Sequence, residues 1–161
     1  MKALNVLCFG NALHGDDGLG AAVAARLKDV SLPANVNVYN AGTLGLNALP
    51  LFEHCSHVLI VDVAELGLSI GDSRFILPDT LDNSSSADHM GGVSFLLQAV
   101  NAIVKPTPII NILAVQPAKT STFSPSLSVE MTLALERLVN QVSEFTVEWE
   151  VNNIELKGCS T

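Results

Sequence analysis

Apolar positions along the chain fall into short unbroken runs that alternate with stretches of helical spacing. Ala3 to Phe9 is the first run, interrupted only by Asn5 and closed by Gly10-Asn11, which predicts a strand buried on both faces. From Asp17 the spacing becomes helical, with Leu19, Val23, Leu27 and Val30 on one face and Arg26, Lys28 and Asp29 off it. Asn35 to Tyr39 reads as a second strand. Thr43 is then placed to cap a helical segment through Leu44, Leu46 and Leu49, which Pro50 should break or restart. His57 to Val63 is a third strand, and it carries Asp62 near its carboxyl end, where an apolar run should hold no charge. Ser73 to Leu77 is a fourth. The link from Ala64 to Asp72 is too short for a helical crossover, so that strand should run antiparallel to the third.

Pro78 to Asp88 is polar and reads as a loop. Asp88 can cap a helix whose apolar positions are Val93, Leu96, Leu97, Val100 and Val104, which puts His89 in its first turn. Ile109 to Val115 is the fifth strand. A last helix should run from about Ser128 to Val142, with Met131, Leu135, Leu138 and Val142 facing inward; the stretch after about residue 146 reads as an edge segment or a tail. This alternation predicts a three-layer α/β/α sandwich around a five-stranded, mostly parallel sheet with one antiparallel strand. Sheets of that kind bind ligands beyond the carboxyl ends of their strands, where strand order reverses. Gly10 to Asp17, Asn40 to Gly45 and Asp62 should share that rim.

Length and composition narrow the partners. At 161 residues the chain fits a single domain over 1–161. Its formal net charge of −8 repels phosphate backbones and anionic lipid heads, so neither nucleic acid nor a membrane surface is an expected partner. Met1 to Phe9 lacks the length and cleavage pattern of a signal peptide, and no run approaches the roughly 20 apolar residues of a membrane span, so a cytoplasmic setting is expected. Cys8, Cys55 and Cys159 form no C-x-x-C pair, and reduced thiols follow, with Cys8 a buried structural thiol.

Gly10-Asn11-Ala12-Leu13-His14-Gly15 has the spacing of a phosphate loop, but Asp16-Asp17 stands where a Lys and a Ser or Thr are required. Gly15, Gly18 and Gly20 come too late, with the wrong gaps, for a dinucleotide fingerprint. What remains is a loop presenting two acids at a helix start, where they either cap the helix or serve a site. Asp62 favours a site, because a carboxylate ending an apolar strand needs a partner. His89, at a helix start, can bond a backbone group or bind a ligand, whereas His14, His54 and His57 read as surface or packing residues. Asp17, Asp62 and His89 together offer two oxygens and a nitrogen, an incomplete shell suited to nickel or zinc, with positions left for substrate or water.

The run from Gly10 to Gly20, together with Gly42-Thr43-Leu44-Gly45, Ile60-Val61-Asp62, the single His89 and Val115-Gln116-Pro117, resembles the hydrogenase maturation proteases. Asn40-Ala41 departs from the acid and glycine that many members carry there. The resemblance implies an endopeptidase that removes the carboxyl-terminal extension of a nickel-iron hydrogenase large-subunit precursor. It further implies that Asp17, Asp62 and His89 contact nickel already bound in the precursor, with no metal permanently held. Gly42, Thr43 and Gly45 would position the substrate chain, with Asn11 and Asp16 in support and Asp16 a candidate general base. Two rivals stay open: a nickel-sensing or chaperone module that cuts nothing, and a peptidase of the spore germination type acting on another protein.

Overall fold

The computed structural model describes residues 3–81, 91–119 and 123–158. Five strands form one sheet in the order β2-β1-β3-β5-β4. β1 (Leu4–Phe9), β2 (Val36–Gly42), β3 (His57–Val63) and β5 (Ile109–Val115) run parallel, and β4 (Ser73–Ile76) runs antiparallel. The antiparallel sense is the expected one, but β4 bonds to β5, which inserts between it and β3.

Helices cover both faces. α1 (Leu19–Leu27) and α3 (Val129–Gly158) pack on one side, over Val6, Cys8, Leu59, Val61 and Leu113. α2 (Gly91–Ile103) and a 3-10 helix, Gly45–Phe52, cover the other, over Leu7, Phe9, Ile60 and Ile112. The two-residue alternation of strand side chains thus divides the core into two clusters. α1 lies close on β1 because Gly20 carries no side chain: a Cβ there would sit 2.2 Å from the Phe9 carbonyl oxygen.

Three expectations are corrected. β2 runs on through Asn40, Ala41 and Gly42 rather than stopping at Tyr39, and its register with β1 shifts between Cys8 and Phe9, the mark of a bulge. Thr43 caps no helix: the segment after it is a 3-10 helix whose cap position, Leu44, offers no side-chain bond, and its inward residues are Ala48 and Phe52 while Leu44 and Leu46 are exposed. The stretch beyond residue 146 is neither edge nor tail up to Gly158, since α3 continues through it. Thr146, Trp149 and Asn153 extend the buried stripe of Leu138 and Val142 at helical spacing, and that burial decides the conformation. Among the described residues no helix is long and apolar enough to cross a membrane.

Candidate active site

The chain leaves β1, forms β2 on one side, then crosses to form β3 on the other, so strand order reverses between the carboxyl ends of β1 and β3. A cavity of about 260 Å³ opens there, lined by Phe9 at the end of β1, Gly10, Asn11 and Asp17 after it, Gly42 at the end of β2 with Thr43 and Gly45 beyond, Asp62 of β3, and Val93 and Leu96 of α2. Four separated segments therefore meet on the rim that strand topology predicts.

Each acid is held differently. Asp17 lies within a 3-10 turn, Gly15–Gly18, and its Oδ2 accepts the Asn11 N–H at 2.9 Å. That turn folds back onto the end of β1 only because residue 10 is glycine: it sits at φ +123°, and a Cβ would lie 2.0 Å from the Asp17 carbonyl oxygen. Asp62 alternates with Val58 and Ile60 on the α2 side of β3, is 3% exposed, and accepts the Val63 N–H at Oδ1, 2.8 Å. Burial pushes its carboxyl up to about 8; the Val63 bond opposes this in part, and the negative charge of Asp17 adds to it. Two carboxylates close enough to repel in a half-apolar cavity can share a proton or a cation.

Asp16 is not in the cavity. It is fully buried, its Oδ1 accepts the Ser128 N–H at 2.7 Å, and its Oδ2 accepts the Ala118 N–H and the Ser128 hydroxyl, each at 2.8 Å. Ser128 Oγ in turn accepts the Met131 N–H at 3.2 Å, so Asp16 anchors the start of α3 rather than capping α1. Both of its oxygens are engaged by these donors, away from the cavity lining. Asn11 supports the loop, accepting the Leu13 N–H at Oδ1, 3.0 Å. Gly42, Thr43 and Gly45 line the cavity.

His89 and its neighbour Asp88 lie outside the described residues. α2 begins at Gly91, and Gly92, Val93 and Leu96 line the cavity, so the chain two residues beyond His89 starts a helix that opens on this space. Among the described residues no three His, Cys, Asp or Glu side chains cluster as a metal site. Cys8 is buried against the opposite layer, its thiol pushed up to about 12 by burial and, secondarily, by Asp62, which makes it the inert structural thiol the sequence predicts.

One positioning residue escapes sequence reasoning. The buried Gln116 side chain accepts the N–H groups of Leu66 (2.7 Å) and Leu68 (3.3 Å) and donates to Glu65 (3.1 Å) and the Pro117 carbonyl (3.1 Å). It pins the loop leaving Asp62. A polar residue directly after an apolar strand was the available signal.

A mixed five-stranded sheet with a cavity at its switch point defines a three-layer α/β protein. Residues 21–144 match the profile of the hydrogenase maturation protease family, a stretch that contains Asp62 and begins just after Asp17. A protein of Methanocaldococcus jannaschii assigned to these proteases is 29% identical over 156 residues, covering 91% of this chain and 90% of its own length. The hydrogenase 3 maturation protease of Escherichia coli K12 is 25% identical over 150 residues, covering 91% and 90%. Among solved structures, a hydrogenase maturation protease of Thermococcus kodakarensis superimposes with a TM-score of 0.74 at 23% identity, covering 89% of this chain and 91% of that one. The hydrogenase maturating endopeptidase of Escherichia coli gives 0.71 at 21% identity, covering 87% and 89%. The chain belongs to the hydrogenase maturation proteases and is a peptidase.

Proposed function

We propose that this protein removes the carboxyl-terminal extension of a nickel-iron hydrogenase large-subunit precursor after nickel insertion, and that Asp17, Asp62 and His89 read the substrate's own nickel. The observation that carries the reading is the pairing of Asp17 and Asp62 across one cavity at the switch point. Two carboxyl groups facing one cavity favour a divalent cation over any anion, and the apolar side chains of Phe9, Val93 and Leu96 strengthen the attraction by excluding water. His89, just upstream of α2, would add a nitrogen to two carboxylates, a set suited to nickel.

On this reading the nickel belongs to the substrate and the enzyme keeps none. Selectivity and positioning become one event: the acids engage the precursor only when its metal is present, and the peptide to be cut is thereby held against the Gly42 to Gly45 loop. Asp62 gives up its proton to solvent as it takes the cation. Membership of a peptidase family supports cutting over mere sensing.

Mass spectrometry of a precursor incubated with the enzyme tests this. The nickel-loaded precursor should lose its extension and the nickel-free one should not. Asp17→Ala, Asp62→Ala and His89→Ala should each lower trimming by at least about a hundredfold, in the range of lost metal ligation, with the protein still folded by circular dichroism. Equal trimming of both precursors, or full activity in all three variants, would remove the metal-reading role.

A further inference from the structure

Two carboxylates can select a cation, but they cannot distinguish one polypeptide from another. The loops that feed the cavity carry a second chemistry. Leu44 and Leu46 flank the cavity-lining Gly45 and are 43% and 45% exposed. Leu13, two residues past the cavity-lining Asn11, is 51% exposed, and Phe123 is 70% exposed. Those last two stand side by side, because the Ser124 N–H donates to the Leu13 carbonyl at 2.9 Å and the Gly15 N–H donates to the Ser124 carbonyl at 2.7 Å.

Backbone bonds fix the loops that carry these exposed side chains. The Leu44 N–H donates to the Ala41 carbonyl and the Asn47 N–H to the Leu44 carbonyl, each at 3.0 Å. The Leu13 N–H is fixed by Asn11, whose own N–H bonds Asp17. The loop that places Asp17 thus also carries Leu13, and the loop that carries Leu44 and Leu46 lines the cavity opposite it at Gly42, Thr43 and Gly45. Apolar side chains grouped around a polar cavity mark a surface that is covered when the site is in use. The exposed apolar residues of α3, Val129, Leu133, Val147 and Val151, have no such connection, since α3 contributes nothing to the cavity lining.

We propose that Leu13, Leu44, Leu46 and Phe123 form an apolar collar that grips apolar side chains of the precursor polypeptide beside the bond being cut. The inference rests on the peptidase function proposed above and adds to it a division of labour. The acids recognise the metal, and the collar recognises the chain around it. Continuity with the cavity identifies the occupant, because a chain whose metal lies between Asp17 and Asp62 fills the space that Asn11, Thr43 and Gly45 line, directly beside these side chains.

Steady-state trimming of the nickel-loaded precursor tests it in two independent double variants, Leu44→Ser with Leu46→Ser and Leu13→Ser with Phe123→Ser. Val147→Ser with Val151→Ser, on α3, is the control. All six side chains are exposed, and thermal melting confirms that each variant is folded before it is assayed. The collar predicts that KM rises about tenfold in at least one loop variant, with kcat within about twofold of wild type and the control unchanged. Unchanged KM in both loop variants, a fall in kcat alone, or an equal rise in the control would overturn it. If the wild-type protein fails to trim the precursor, it is the function proposed above that falls; loss of the collar alone leaves wild-type trimming intact.

Discussion

Asp16 and Asp17 are adjacent and chemically identical, yet they serve different structures: Asp16 gives both oxygens to the Ala118 and Ser128 backbone and hydroxyl donors, while Asp17 faces the cavity. The sequence predicts two acids at a helix start but cannot say which one turns inward, because the donors that decide it lie more than 100 positions away. Asp62 was legible for a simpler reason, since a charge in an apolar strand is an exception that burial makes expensive. That exposes it to a direct test in the free protein. Its folded carboxyl titrates near 8 against 3.8 for an unperturbed one, so between those values the unfolded chain has released a proton that the folded chain retains. Stability should therefore fall as pH rises from about 4 to about 8 and level off above. Asp62→Asn, which cannot ionise, should be more stable than wild type by about 2 kcal/mol at pH 8, with the gap closing towards pH 4. Urea unfolding across that range measures it, and a gap independent of pH would show that the carboxyl is not strained by burial.

Elements with an unambiguous period were read closely. β3 and β5 were predicted at their observed bounds, and every apolar position assigned to α2 is buried. The failures came where local chemistry pointed one way and packing another. Thr146, Val147, Val151 and the aromatic Phe145 and Trp149 lower helix propensity, yet Trp149 and Asn153 are buried along α3 and hold the helix together well past Val142. At Leu44 and Leu46 the departure runs the other way: the helical segment that the sequence predicts through them is a 3-10 helix that buries Ala48 and Phe52 and leaves both leucines exposed. The start of α3 carries its own prediction. Asp16→Ala leaves three donors without an acceptor, two of them at the head of the longest helix. It should destabilise the fold by about 3 kcal/mol, whereas Ser128→Ala, which spares the Ala118 bond and the Ser128 N–H bond, should lose only about 1 kcal/mol. Equal losses in denaturant titrations would place the anchor elsewhere.

Across the whole molecule, the layer order and the position of the cavity followed from alternation alone, because a mostly parallel sheet must cover both faces and must reverse strand order somewhere. Which strands would flank the reversal did not follow, since pairing depends on crossovers that leave no local mark in the chain. The same sheet leaves two margins unlike each other. β4 is four residues long and displays Arg74, both recognised protections against stray pairing. β2 is seven residues long, has β1 on one side only and carries no ionisable group except the phenol of Tyr39. Its bulge near Gly42 protects just the last turn of the strand. The net charge of −8 opposes two copies zipping together along this margin, and that repulsion fades over about 8 Å in physiological salt. Sedimentation velocity should accordingly find self-association growing with ionic strength, and Tyr39→Lys should abolish it; a protein equally monomeric from dilute buffer to about 0.5 M salt, well beyond the screening needed, would mean that the margin guards itself.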